Sequence, residues 1–196
     1  MEFTSAGCQW LRPTTLDQLQ ILRAKHHNTK YIGGGSGNYK VAKTSSLQKD
    51  AVLINLSEIS ELRVFRENEN FWEFGAALTL SEMQNLFYDM AESDSPAVKV
   101  FQEVLSRLAS TQIRNMATVG GALMWPHSCS DLMLLCSALK CTLNTISTDG
   151  CPVEVEMGSD FYPHGMEDIA TQQYIIKSVR VPKLTKGILS LPMSCF

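Results

Sequence analysis

No two of the six cysteines in this 196-residue chain are spaced as C-x-x-C. Cys8, Cys129, Cys136, Cys141, Cys151 and Cys195 therefore cannot build a zinc knuckle or an iron–sulfur loop from local spacing. No apolar stretch approaches the roughly 18 residues that would span a bilayer. The start, MEFTSAGCQW, lacks the basic and apolar regions of a secretory signal. A cytoplasmic, reducing location follows as the expectation, with the cysteines as small buried thiols. Charged residues are scarce at 19%, and 17 Lys and Arg stand against 20 Asp and Glu for a net charge of -3, which argues against nucleic acid or an anionic membrane surface as partner. What the chain has instead is 44% apolar residues without a collagen-like period. That is too much for disorder, and the length is enough for one domain or two small subdomains sharing an interior.

The pattern alternates helices and strands early and favours strands late, so the expected class is α+β. Thr15 with Gln18 reads as the N-cap of a helix carrying Leu16, Leu19, Ile21 and Leu22, ending near His26 and His27. Ala51 to Leu56 is a continuous apolar run, expected as a strand buried on both faces. Arg63–Phe65 and Phe71–Gly75 flank a polar turn and predict a hairpin. Ser81 with Gln84 is the expected cap of a helix with the stripe Met83, Leu86, Phe87, Met90. A further helix follows Pro96 with Val98, Phe101, Leu105 and Leu108. Leu132 to Leu139 reads as helix or strand. Strands are expected over 140–146, 151–156 and 174–181, the last stopped by Pro182.

Two glycine-rich elements stand out. Lys30-Tyr31-Ile32 is a short strand running straight into Gly33-Gly34-Gly35-Ser36-Gly37-Asn38. Such a turn either forms a nest of N–H groups for a phosphate or is a plain glycine turn. It is neither a P-loop, since no Gly-Lys-Ser/Thr follows, nor the G-x-G-x-x-G of a Rossmann unit. The second element is Thr118-Val119-Gly120-Gly121-Ala122, read as a β-type approach into two glycines, followed by the Trp125-Pro126-His127 break and the Ser130-Asp131 capping pair. Taken alone, Thr118 reads as a buried strand threonine, Asp131 as a helix cap, and Arg114 as a surface ion-pair former.

In order and spacing, the Trp10–Leu16 opening, the glycine loop after Ile32 and, above all, QIRNMATVGG at 112–121 followed by Ser130-Asp131-Leu132 resemble the flavin module of the molybdenum hydroxylases. These are the xanthine dehydrogenase and aldehyde oxidase family, and IRNMA leans toward the aldehyde oxidase wording. The resemblance covers about residues 10–182. It implies two small α/β subdomains of the vanillyl-alcohol-oxidase-type FAD-binding fold, at about 10–65 and 66–182, without the C-terminal closing subdomain. Residues 1–9 are then an N-terminal extension and 183–196 an irregular tail.

The cofactor so implied is FAD, with Lys30 to Asn38 wrapping its pyrophosphate. Thr118, Gly120 and Gly121 would lie on the flavin nucleotide and Asp131 on ribose or adenine donors. Ala109 or Leu108 would supply an apolar contact, and Ile176-Lys177 would sit at the isoalloxazine edge. No residue is assigned a metal or a proton-transfer role. The chain departs from the family at Gly34-Gly35, where Asn-Thr is usual, at Ala122, and at Lys177, where an apolar residue is customary. The resemblance implies an oxidoreductase domain passing electrons between iron–sulfur centres and an acceptor such as dioxygen or NAD, beside iron–sulfur and molybdopterin domains that 196 residues do not hold. Such a chain would not hydroxylate a substrate unaided. The alternative is a truncated, catalytically silent relative serving as a remnant or interaction module.

Overall fold

A computed structural model describes residues 2–5, 8–26, 29–37, 52–90, 95–124, 130–158 and 174–183. Asn38, His27, the Trp125-Pro126-His127 break and residues 184–196 lie outside the described residues. The chain builds two sheets, the first from its N-terminal third. Its strands are β1 (Glu2–Ser5), β2 (Cys8–Leu11), β3 (Thr29–Ile32) and β4 (Val52–Asn55), in the order β1-β2-β4-β3. β1 runs antiparallel to β2, whereas β2, β4 and β3 are parallel, with Trp10 and Lys30 both opposite Leu53. β4 takes an inner position because its run is apolar on both faces, as expected. Ile54 packs with Leu11 and Leu19 on one side, and Leu53 packs with Ile32 and Trp10 on the other.

Helix α1 (Leu16–Lys25) covers the first of those faces. Thr15 Oγ1 accepts from the Gln18 N–H at 3.2 Å, while Gln18 Oε1 accepts from Thr14 N at 2.9 Å, one residue before the place a capping box would use. Leu19 is buried, but Ile21, expected on the apolar face, is 67% exposed because it sits two positions from Leu19, some 200° around the helix.

The second sheet holds β5 (Phe65–Glu67), β6 (Phe71–Gly75), β7 (Thr142–Ile146), β8 (Pro152–Glu156) and β9 (Ile175–Pro182) in the order β5-β6-β9-β7-β8, antiparallel throughout. The β5–β6 hairpin is turned by Asn68, whose Oδ1 accepts from the N–H groups of Asn70 and Phe71. β9, the last of the described strands in sequence, is thus the middle strand of the sheet.

The helices of this half are α2 (Leu80–Asp89), α3 (Pro96–Arg107), α4 (Thr111–Arg114), α5 (Val119–Leu123) and α6 (Asp131–Ala138). Their apolar stripes share one core with the sheet. Phe87 stacks on Phe101 at 4.6 Å and lies 4.9 Å from Phe74, with Trp72 edge-on at 6.3 Å.

Three local expectations are corrected. The cap of α2 is Thr79 with Glu82 rather than Ser81 with Gln84. Thr79 Oγ1 accepts from Glu82 N at 3.1 Å and Glu82 Oε2 accepts from Thr79 N at 2.7 Å, and the earlier start lets Leu80 be buried. Thr118 is extended, but the two glycines that follow belong to the helical turn α5, whose Gly121 N donates to Thr118 Oγ1. Arg114 makes no ion pair among the described residues. It is buried and donates to the carbonyls of Leu108 and Ala109 and to Thr111 Oγ1, holding Ala109 at a left-handed φ of 55°. The open reading of 132–139 resolves to helix, capped by Ser130 and stopped at Lys140, φ 52°, where Cys141 N donates to Cys136 O at 2.8 Å and Lys140 N to Ser137 O at 3.1 Å.

On the face of the second sheet away from the helices, Glu73 is buried among polar partners. Ser178 Oγ donates to it at 2.5 Å and Asn144 Nδ2 at 3.0 Å, with Arg66 3.5 Å away. Burial alone would push its pKa up, but the Ser178 bond, the charges of Arg66 and Arg180 and the Asn144 amide together hold it below the ordinary carboxylate value. A lowered folded-state pKa contributes stability above the unfolded value of about 4.3 that disappears as pH falls through the folded pKa. Urea midpoints are therefore expected to hold from pH 7 to about 5 and fall below about 4, with a shallower fall in Glu73→Gln. An unchanged slope in that variant would remove Glu73 as a contributor.

Candidate nucleotide cofactor site

Parallel strands present ligands at their carboxyl ends, and there the two halves of the molecule meet. A cavity of about 330 Å³ opens where β3 passes into Gly33 and β4 into Leu56, and it is closed from the other side by Ala76 and Ala77 after β6, by the start of α5, and by the start of β9. β9 reaches it through a bulge. Asn144 pairs with Ser178 and Thr145 with Ile176, so Lys177 is the extra residue, its carbonyl accepting from Ala76 N at 2.9 Å. The bulge shifts the alternation so that Ile176 shares a core with Val179 and Val181, while Ile175, on the opposite face, joins the other core; both line the cavity.

The two glycine elements touch here. A Cβ on Gly33 would lie 2.3 Å from Thr118 Oγ1, and one on Gly34 would lie 1.4 Å from the Met116 carbonyl oxygen, so the loop lies directly against the 116–118 backbone. Gly35 takes φ 73°. The N–H groups of the second element are spent internally, since Val119 donates to Leu78 O and Gly120 to Ala76 O, both at 2.8 Å, and Gly121 donates to Thr118 Oγ1. Those of Gly33, Gly34, Gly35, Ser36 and Gly37 have no acceptor among the described residues. The donor nest therefore belongs to the first element alone.

Of the residues singled out in the sequence, Lys30, Tyr31, Gly33, Thr118, Gly120, Gly121 and Ile176 line this cavity. Ile32 is buried beneath it against Leu53, and Gly34, Gly35, Ser36 and Gly37 continue the loop. The structure does not bring Asp131 or Ala109 to the cavity wall. Asp131 is exposed in the first turn of α6, and Ala109 is exposed between α3 and α4. Lys177 is half-buried at the bulge and is not on the cavity wall.

Ala76, Ala77, Met124, Tyr174 and Ile175 also line it. Ala76 and Ala77 reach it through the end of β6, Tyr174 and Ile175 through the start of β9, and Met124 as the C-cap of α5. The wall is mostly apolar, and Lys30, Tyr31, Tyr174 and Thr118 are its residues with polar side-chain groups. Free backbone donors beside an apolar slot suit a ligand with an anionic portion and a flat apolar portion. That chemistry fits a flavin nucleotide. Among the described residues no group of His, Cys, Asp or Glu could hold a metal ion, and no helix is long and apolar enough to cross a membrane.

A glycine nest at parallel-strand ends, facing an antiparallel sheet across an apolar slot, defines a nucleotide-cofactor-binding domain. Comparison with known proteins makes this specific: residues 3–184 match the family model described as the FAD binding domain in molybdopterin dehydrogenase, and the chain belongs to that family, whose cofactor is FAD. It is 31% identical over 193 residues to a xanthine dehydrogenase/oxidase of Gallus gallus, covering 94% of this chain and 14% of that protein. It is 28% identical over 190 residues to an aldehyde oxidase 2 of Macaca fascicularis, covering 95% of this chain and 14% of that protein. The chain thus spans about one-seventh of these relatives' length.

Among solved structures, the Cu,Mo-CO dehydrogenase superposes with a TM-score of 0.76 at 21% identity, over 90% of this chain and 59% of that one. Quinoline 2-oxidoreductase from Pseudomonas putida 86 gives 0.75 at 21% identity, over 94% and 61%. These two likenesses concern the fold, which is the mixed α/β architecture of such flavin domains.

Proposed function

We propose that the chain binds FAD in the cleft between its two sheets, with residues 10–65 and 66–182 as the two subdomains of a vanillyl-alcohol-oxidase-type fold. The observation that carries this is the run of N–H groups from Gly33 to Gly37, open at the end of β3 beside an apolar slot. In this reading the loop from Lys30 through Asn38 holds the pyrophosphate with its main chain, while Thr118, whose oxygen already accepts from Gly121, keeps its O–H free to donate to the nucleotide. Gly120 and Gly121 let the chain pass close by. Asp131 would accept from ribose or adenine hydrogens and Ala109 would supply an apolar contact only where the nucleotide extends beyond the cavity wall, and Ile176 with Lys177 would border the ring edge. Bound flavin would supply reversible electron transfer, and the protein would supply binding, orientation and exclusion of water.

The domain would pass electrons between iron–sulfur centres and an acceptor such as dioxygen or NAD, in the cytoplasm, alongside iron–sulfur and molybdopterin domains. A silent relative is the second reading, favoured by the closure of Gly34 onto Met116, which leaves no room for the side chain that the family usually has there.

The test is the visible spectrum. Purified protein, as isolated or after adding FAD, is expected to show flavin absorption that dithionite bleaches and denaturation releases. A chain that stays colourless and takes up no FAD overturns flavin binding and leaves the silent relative. Asp131→Ala is expected to weaken FAD several-fold; unchanged affinity removes Asp131 from the site.

A further inference from the structure

The cavity carries a charge that its main-chain donors do not account for. Lys30 lines it, and no acidic residue is among the lining residues described. Of the other basic residues nearby, Arg63 is engaged, binding Glu82 at 2.5 Å and the Ala77 carbonyl at 3.0 Å, and Lys177 is not among the lining residues. Lys30 has no ion-pair partner among the described residues. It is half-buried on β3, in register with Leu53 and two residues before the buried Ile32, so its strand position is fixed by the sheet. A flexible lysine stem can lie along an apolar wall and carry its ammonium to the loop that follows. A cation without a carboxylate and N–H groups without acceptors, both among the described residues, favour an anion at that end of the cavity.

We propose that Lys30 is a specificity-determining residue, its ammonium pairing with a phosphate of the bound nucleotide so that the site selects phosphorylated flavins over uncharged riboflavin. This rests on the flavin reading and adds to it a side-chain contact that the main-chain nest does not supply. The ammonium and the nest act on one anionic group from two directions. An arginine would preserve the charge and a methionine would keep only the stem.

Affinities for FAD, FMN and riboflavin are measured by fluorescence titration on the full chain and on Lys30→Met and Lys30→Arg, at low and high salt. A charge-assisted contact at a half-buried site predicts that Lys30→Met loses about tenfold in FAD and FMN affinity with riboflavin unchanged. Lys30→Arg is expected to stay within about threefold, and the wild-type preference is expected to shrink as salt rises. Equal losses for all three flavins, or no loss for any, overturn the proposal.

Should wild type bind no flavin, the flavin reading fails by itself, and thermal unfolding with ADP or pyrophosphate then decides the role of Lys30. Stabilisation of wild type but not of Lys30→Met keeps the lysine as the anion partner of another phosphorylated ligand. Equal shifts in the two proteins, or none, overturn it. Unfolding midpoints without ligand are compared as well, and Lys30→Gln replaces Lys30→Met if the methionine variant is destabilised.

Discussion

Replacing Gly34 by alanine is expected to lower the midpoint of thermal unfolding by roughly 6–12 °C and to abolish flavin uptake, the first as about 3 kcal/mol of overpacking in a domain of this size. The added Cβ would sit 1.4 Å from the Met116 carbonyl oxygen, a main-chain atom that cannot swing aside as a side chain can. The loop would have to lift off residues 116–118, carrying Gly33 away from Thr118 and moving its N–H groups out of line with the cavity. Gly35→Ala is the matched control. Its Cβ would meet only Ile32 at 3.8 Å, so its cost is the left-handed φ of 73°, roughly 1–2 kcal/mol. Circular dichroism melts and FAD titration of the two variants give the comparison. Gly34→Ala melting with wild type would mean that the two glycine elements do not meet as described.

Phe87→Ala is expected to cost about 3–5 kcal/mol, read as a drop in the urea midpoint without a change in slope. Phe87 is fully buried and touches the core from three sides, stacked on Phe101 of α3 and close to Phe74 and Trp72 of β6. Deleting the ring leaves a void between α2, α3 and the sheet that helices fixed by the Thr79–Glu82 cap and by Pro96 cannot fill by sliding. Phe87→Leu, which refills part of the volume, is expected to recover about half of the loss. A Phe87→Ala loss below about 1 kcal/mol would show that the helices repack freely.

Local pattern made much of this fold legible. The apolar run at 51–56 sets an inner strand, the stripe through Met83 and Phe87 marks the face that packs on the second sheet, and Asn68 turns the hairpin. The misreadings share one cause, in that local chemistry offered two answers and tertiary burial chose. Thr79 prevails over Ser81 as cap because Leu80 has a core position to fill. Gly120 sits in a helical turn because its missing side chain lets that turn lie against Ala76, where a Cβ would be 2.8 Å from another. Arg114 is drawn inward by three acceptors that the left-handed turn at Ala109 exposes.

The site was legible at its glycine elements, which carry their own signature, and illegible at Ala76, Ala77, Met124, Tyr174 and Ile175. No spacing rule relates a residue after β6 to one before β9. The bulge at Lys177, which puts Ile176 rather than Lys177 on the face of Val179 and Val181, is a property of strand pairing, not of the isoleucines.

The order of the second sheet also bears on how the protein comes into being. β6 and β7 are not neighbours in the sheet; each is paired along its backbone with β9, and the Glu73–Ser178 bond joins residues 105 apart. At ribosomal rates of about 5–20 residues per second, β6 leaves the tunnel roughly 5–20 s before its partner. Through that interval Trp72 and Phe74 have helices to pack against but an unpaired strand edge beside them. Closure of the sheet, and with it completion of the cofactor cleft, then waits for residues 175–182, and the nascent chain is most exposed to mispairing in the seconds before they emerge.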